Sequence, residues 1–357
     1  MQRTSLEGIW MWSRWQPDRQ LSFNSFFLRG DGGVVVDPLP IEEEDLAAIN
    51  TDGGARWVVV TNRDHERDAR AVADRLGAEL AAPAADVPQM RCRIDRELRD
   101  GESLGRVRVV ALDGMKSPGE VALHVADARA VIVGDALFGD PAGAVRLPAD
   151  EKLGDPKRAL LSLRRVLALQ PQHLLVGDGA CIYGNAGEVI GAYLSTRGDV
   201  YVNRINIEEL RWESFESDPH PFGGSAAEIG TYIGAHSLGY HLVKLPPGKA
   251  WCPLHWHEGD EEMFFMMEGT ATLRTPRGEY AVRRGDFIAF PAGPAGAHQL
   301  RNDGDADCTV LMLADNADGE EVCHYPDSRK VFASMTRLLV RAEPQLDYYD
   351  GETAGST

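Results

Sequence analysis

The sequence predicts a two-domain chain: an N-terminal α/β unit of two sheets covered by helices, and a C-terminal all-β unit that closes into a small barrel. At 357 residues the chain is long enough for two domains that each bury a core. Up to about residue 200, apolar strand runs are interspersed with amphipathic helical stretches. Beyond it, short strand runs follow one another at even spacing, separated by glycine and proline turns. The boundary is therefore placed to give domains 1–200 and 201–357, with the segment from Val202 as an arm of the second.

Along the first domain, 9–15 and 22–28 alternate or run apolar like strands, and 30–33 turns the chain into the apolar strand 34–36, ended by Asp37-Pro38. Residues 42–49 read as a short helix, 56–61 as a buried strand, and 65–77 as an amphipathic helix stopped by Gly77. Strands follow at 107–112, 121–125 and 131–134. A helix over 155–169 has Asp155 as its N-cap and Pro156 at the first helical position. A strand at 174–177 and a helix at 186–194 close the domain. This order suits two covered sheets and not a doubly wound parallel sheet.

The core of the second domain begins near Ile229, after a turn-rich loop at 218–224. Strand-like runs occupy 232–235, 239–245, 263–267, 270–275, 279–282 and 287–290, with 308–313 as the last apolar strand. Evenly spaced strands of this kind close into a barrel that holds one ligand. His241, in the second of these runs, reads as structural.

The sharpest chemical signal lies in 248–302. If 253–256 is extended, period-two alternation points His255 and His257 to one face and Leu254 and Trp256 to the other. Glu262 follows shortly, and His298 arrives from a later strand. A lone histidine is ordinarily a plain surface or core residue. Three imidazoles and a carboxylate in this order, framed by Gly269, Gly285, Pro291 and Gly293, make a metal-ligand set.

This stretch resembles the cupin superfamily, with motifs G-x5-H-x-H-x3,4-E-x6-G and G-x5-P-x-G-x2-H-x3-N. His255, His257, Glu262 and Gly269 match the first; Gly285, Pro291, Gly293, His298 and Asn302 match the second. Gly248 stands six residues before His255 and four residues separate Gly293 from His298, small departures from the pattern. The resemblance implies a double-stranded β-helix barrel in which His255, His257, Glu262 and His298 hold one divalent transition metal, iron, manganese, nickel or zinc. It also implies oxygenase, isomerase, decarboxylase or lyase chemistry. The tail, with Tyr325-Pro326-Asp327-Ser328 and residues 347–352, is similar to extensions of bacterial single-domain cupins.

The first domain resembles the metallo-beta-lactamase fold, an αββα sandwich. The matching places are Val36-Asp37-Pro38, the loop 61–67, Ser117-Pro118-Gly119-Glu120, Gly134-Asp135 and Gly177-Asp178-Gly179. The family's zinc-binding loop T-H-x-H-x-D-H is degenerate here, because Asn62, Asp64, Glu66 and Arg67 stand where three histidines and an aspartate are expected. Ser117 and Asp178 replace two further histidines, and Asp135 alone keeps its family identity. Arg67 would set a permanent positive charge at the second metal position. Two readings stay open: a residual mononuclear site from Asp64, His65, Asp135 and Asp178, or a salt-bridged floor with Arg67 paired to Asp135 or Asp178.

A formal net charge of -18 excludes non-specific nucleic-acid binding. No apolar run approaches the ~20 residues of a membrane span, and the N-terminus has no apolar signal-like region. Five cysteines without C-x-x-C spacing suit free thiols in a cytoplasmic protein. Cys252, close to His255, alternates to the opposite face from both histidines. The expected partner is a small-molecule ligand or substrate, with a homodimer as a further expectation. Three functions remain in play: a metal-dependent cupin enzyme, a non-catalytic binding cupin on a scaffold domain, and a hydrolase using the residual N-terminal site.

Overall fold

Runs of β-branched residues build the first unit. Val34, Val35 and Val36 are all buried, with alternate side chains serving opposite faces of one sheet. A computed structural model of the protein describes residues 1–30, 32–197, 204–216, 220–235, 237–315, 321–334, 336 and 338–342. The chain divides into two compact units, Met1–Asn203 and Arg204–Thr357. The start of the arm at Val202, His236 and the tail at 347–352 lie outside the described residues.

The first sheet of the N-terminal unit runs in chain order through β1 (Gln2–Arg3), β2 (Ile9–Gln16), β3 (Leu21–Leu28), β4 (Val34–Val36), β5 (Trp57–Val59), β6 (Glu79–Pro83) and β7 (Arg96–Leu98). Its pairs are antiparallel up to β4 and parallel beyond it. The second sheet contains β8 (Ser103–Leu104), β9 (Val107–Ala111), β10 (Val121–Val125), β11 (Ala130–Val133), β12 (His173–Val176) and β13 (Ile182–Tyr183), with β11 and β12 parallel.

Inward residues of both sheets, such as Val36 and Val59 with Leu123 and Ile132, form one buried cluster. The other face of the first sheet packs Val35 and Val58 against Ile49 of α1 (Glu43–Thr51) and Val72 of α2 (Ala69–Leu76). The second sheet packs Val131 and Val133 against Leu163 of α3 (Pro156–Ala168) and Ile190 of α4 (Ala186–Ser195). Asp155 caps α3 as expected, its carboxylate accepting from the Lys157 and Arg158 amides.

The helix expected over 65–77 starts only at Ala69. The Asn62 side chain accepts from the Asp64 and His65 amides and caps a separate 3-10 turn, Arg63–His65, and Arg67 then takes φ 40, which breaks the helical path. β6 and β7, which the apolar pattern did not mark, complete the parallel edge of the first sheet.

The second unit contains β14 (Glu213–Glu216), β15 (Gly223–Glu228), α5 (Gly230–Ile233), β16 (Leu238–Leu245), β17 (Trp256–His257), β18 (Glu262–Glu268), β19 (Thr270–Thr275), β20 (Gly278–Arg283), β21 (Phe287–Phe290), β22 (Gln299–Arg301), β23 (Cys308–Asp315), β24 (Val322–Tyr325), β25 (Lys330–Ala333) and β26 (Leu338–Arg341). They form sheets ordered β14-β15-β16-β23-β18-β21, β17-β24-β25-β26 and β20-β19-β22. Phe264 and Met266 of β18 pack with Val243, Leu300 and Val310 in the core, and His241 is exposed.

Three expectations change. The run at 232–235 is not a strand: Gly230–Ile233 is a helical turn whose Thr231 amide donates to the Glu228 carboxylate at 3.1 Å. The loop expected to end at Gly224 gives way to β15 from Gly223. The strand at 308–313 is not the last, because β24, β25 and β26 follow it. Among the described residues no helix is long and apolar enough to cross a membrane.

Candidate metal centre

In the second unit the four predicted ligands arrive from three sheets. His257 lies on β17, Glu262 opens β18, and His298 immediately precedes β22. His255 is tied to His298 by two backbone hydrogen bonds of 3.1 and 2.9 Å. A motif glycine packs the chain closely where β18 passes into β19. Gly269 sits at φ 75, where a Cβ would lie 2.9 Å from Cys308 Cα. Asn302 is fully buried and fastens the loop, donating to the carbonyls of Leu245 at 2.7 Å and Ala306 at 2.9 Å and accepting from the Gly304 amide at 2.9 Å.

Glu262 Oε2 lies 3.2 Å from His257 Nε2, 3.1 Å from His298 Nε2 and 4.0 Å from His255 Nε2. The tautomers follow from the opposite nitrogens. His255 Nδ1 donates to the Pro253 carbonyl at 3.0 Å, His298 Nδ1 to the Gly296 carbonyl at 2.9 Å, and His257 Nδ1 to Glu321 Oε1 at 2.9 Å. A carbonyl oxygen only accepts, so the first two rings keep their proton on Nδ1 and present a bare Nε2. His257 Nε2, His298 Nε2 and Glu262 Oε2 are buried and, though close, make no aligned hydrogen bond to one another or to any other group, and a cation between them would satisfy all three.

Burial, with His298 beside it, pushes His255 down to about 4, so its ring is neutral. Burial also opposes charge on His257, yet the Glu262 and Glu321 carboxylates outweigh it and raise the ring to about 9. The same two histidines, 257 and 298, hold the Glu262 carboxyl well below its usual range against burial. Phe290 stacks on the His298 ring at 3.7 Å and 14°, and Phe264 meets it edge-on at 5.2 Å.

Sequence reasoning missed the wall contributed by β24. Its Cys323 pairs with His257 across the β17–β24 ladder, and Tyr325 stacks over His255 at 6.2 Å. Glu321, just before β24, orients His257, and burial together with Glu321 pushes the nearby Asp260 up to about 7. Cys252 lies 3.4 Å from His255 Nδ1, on the ring edge away from Nε2.

The N-terminal cluster is built differently. His65, Asp135 and Asp178 come together and are all buried. Gly177 lets them do so, since a Cβ there would lie 2.5 Å from His65 Cε1. Asp37, buried with a strained φ of 47, accepts from His65 Nδ1 at 2.8 Å and from the Thr61 amide and hydroxyl at 2.7 Å.

Two fixed cations enter this cluster. Arg67 reaches Asp178 at 2.8 Å, the ion pair expected from sequence, and also donates to the Asn24 carbonyl at 2.7 Å. Lys116, which sequence reasoning did not mark, places Nζ 2.9 Å from both Asp64 and Asp135. Asp64 therefore joins the cluster through Lys116. Glu66, at the family's aspartate place, faces the Arg91 amide at 2.9 Å, and Ser117 donates to Asp86.

Burial disfavours charge on His65, but Asp37 and Asp135 overcome Arg67 and raise it to about 10. Burial and Asp135 push the Glu120 carboxyl up, while His65 and Lys116 hold Asp135 down in spite of its burial. A metal here would meet the fixed charges of an ammonium and a guanidinium already bound to its carboxylates. The donor set does not fit the two ions of the zinc-binding loop.

Fold and site thus define a β-rich chain with a metallo-beta-lactamase-like unit followed by a cupin unit. Residues 1–217 match the profile of the metallo-beta-lactamase superfamily, and residues 241–314 that of the cupin domain. The chain belongs to the metallo-beta-lactamase superfamily and carries a cupin domain. A hydroxyacylglutathione hydrolase from Brucella anthropi is 30% identical over 168 residues, covering 42% of this chain and 62% of that enzyme, so the chain spans less than two thirds of this relative. A metallo-beta-lactamase from Pontibacter korlensis is similar in structure over 56% of this chain and 98% of its own, with 13% identity and a TM-score of 0.45. A sugar phosphate isomerase of the cupin superfamily from Silicibacter pomeroyi covers 43% of this chain and 97% of its own, with 24% identity and a TM-score of 0.35.

Proposed function

We propose that the protein is a metal-dependent cupin enzyme of oxygenase or isomerase type, acting on a small polar, oxygen-rich substrate. In this reading residues 201–357 form a double-stranded β-helix barrel, and residues 1–200 an αββα sandwich that has lost its dizinc site. The observation that carries it is the convergence of His257 Nε2 and His298 Nε2 on Glu262 Oε2, at 3.2 and 3.1 Å, with His255 alongside and none of the three buried atoms in an aligned hydrogen bond. His255, His257, Glu262 and His298 would hold one divalent transition metal, iron, manganese, nickel or zinc. The bound ion supplies Lewis acidity or, as ferrous iron, a centre for oxygen chemistry.

The chain's own residues prepare the centre. The carbonyls of Pro253 and Gly296 fix two imidazoles with Nε2 free, Glu321 orients His257 through its Nδ1, and Glu262 supplies the one negative charge. Met266, Phe264 and Phe290 keep the inner wall dry.

Hydrolysis by the first unit is the rival reading, motivated by the hydrolase relative. Arg67 and Lys116 argue against it, because their charges occupy the carboxylates a metal would need. Elemental analysis of the full-length protein purified without added metal decides between them. One metal per chain, absent from His257→Ala, supports the cupin reading; two per chain, or one retained in that variant, would overturn it in favour of the hydrolase. Oxygen uptake with small polyhydroxylated or dicarbonyl compounds then separates oxygenase from isomerase.

A further inference from the structure

The β17–β24 ladder sets His257 directly opposite Cys323. Residues opposite one another in an antiparallel pair project to the same face, so the Cys323 thiol shares the face of His257. His255, two residues before His257, is on that face too. Ring nitrogens of both histidines and Cys323 Sγ lie within 4.8 Å of one another, and Cys323 is 5% exposed. One ion with bonds of about 2.0–2.3 Å holds its donors roughly 3–4.5 Å apart, so two nitrogens and a sulfur inside the 4.8 Å limit need to close by no more than a few tenths of an ångström to share it.

We propose that Cys323 is a further metal ligand of the cupin centre, resting on the metal reading given above. Its thiol loses the proton to solvent as the sulfur takes up the ion. Two consequences follow. Sulfur tilts selection toward softer ions such as zinc or cobalt and away from manganese, which prefers oxygen. A six-coordinate centre with three imidazoles, one carboxylate and one thiolate keeps a single exchangeable position, which admits a substrate bound through one atom and not a two-oxygen chelate.

The test is cobalt(II) loading of the metal-stripped full-length protein, read by absorption. The expected result is a near-ultraviolet thiolate-to-cobalt charge-transfer band at one cobalt per chain, kept in Cys252→Ser and lost in Cys323→Ser while cobalt still binds. A cobalt-loaded wild type without the band, or a band that survives in Cys323→Ser or vanishes in Cys252→Ser, would overturn the assignment and leave the four-ligand reading standing. No cobalt uptake, or uptake unchanged in His257→Ala, would overturn both. If Cys323→Ser does not fold, X-ray absorption on the zinc-loaded wild type decides, through the presence or absence of a sulfur shell near ~2.3 Å.

Discussion

The two clusters of ligand-type side chains in this chain use similar parts to opposite ends. In the N-terminal unit one histidine and the carboxylates of Asp37, Asp64, Asp135 and Asp178 are closed by Arg67 and Lys116, charges that no ion can displace. In the C-terminal unit three histidines surround one carboxylate, and no lysine or arginine forms an ion pair with it among the described residues. Carboxylates and imidazoles in proximity do not by themselves make a metal site. What decides is whether the protein supplies its own counter-charge or leaves that place to an ion.

The largest expected effect is on the side without built-in cations. His298→Ala removes a proposed ligand that is 1% exposed, and metal retained after desalting should fall from one per chain to none by elemental analysis. Retention would break the contrast at its root. Next comes the side with them: Arg67→Met leaves the buried Asp178 uncompensated, and urea unfolding should show a loss of about 3–5 kcal/mol. In the double variant Arg67→Met/Asp178→Asn part of that loss should return, and simple addition of the two losses would show that the pair is uncoupled.

A smaller effect is expected at Glu321, which reaches the proposed ligands through its 2.9 Å contact with His257 Nδ1. Glu321→Gln should weaken metal affinity about 10–100-fold in chelator competition, with binding still detectable. An unchanged affinity would remove Glu321 from the centre. The smallest concerns pH. The folded-state value for His65 is raised from 6.5 to about 10, so its stabilising contribution is complete below pH 6.5 and is lost as pH rises through 10. Wild-type melting temperature should fall between pH 7 and 10 more steeply than that of His65→Asn; parallel curves would mean that the ring is neutral and the cluster less charged than described.

Much of this was legible in sequence where one rule governed a short span. The 34–36 strand follows from a run of buried branched residues, the 121–125 strand from a mostly buried apolar run, and the cap at Asp155 from local hydrogen bonding. His255, His257, Glu262 and His298 were legible because fixed spacing, glycine turns and Asn302 bring them together. Glu321, Cys323 and Tyr325 were not. Glu321 stands 64 residues from the histidine it orients, and no periodicity connects β17 to β24. Lys116 was hidden for the same reason, as its two carboxylate partners come from separate loops. The late start of α2 came from competition, the Asn62 side chain offering the backbone a short 3-10 turn in place of a longer helix.

The ring of His298, sandwiched face-on by Phe290 and edge-on by Phe264 with its Nδ1 tied to a carbonyl, has no room to swing. Its rotational freedom was surrendered when the chain folded, so capturing an ion costs it nothing more. Stripping and reloading the protein should therefore be quick and reversible, with the aromatic circular dichroism of the empty protein already matching that of the filled one.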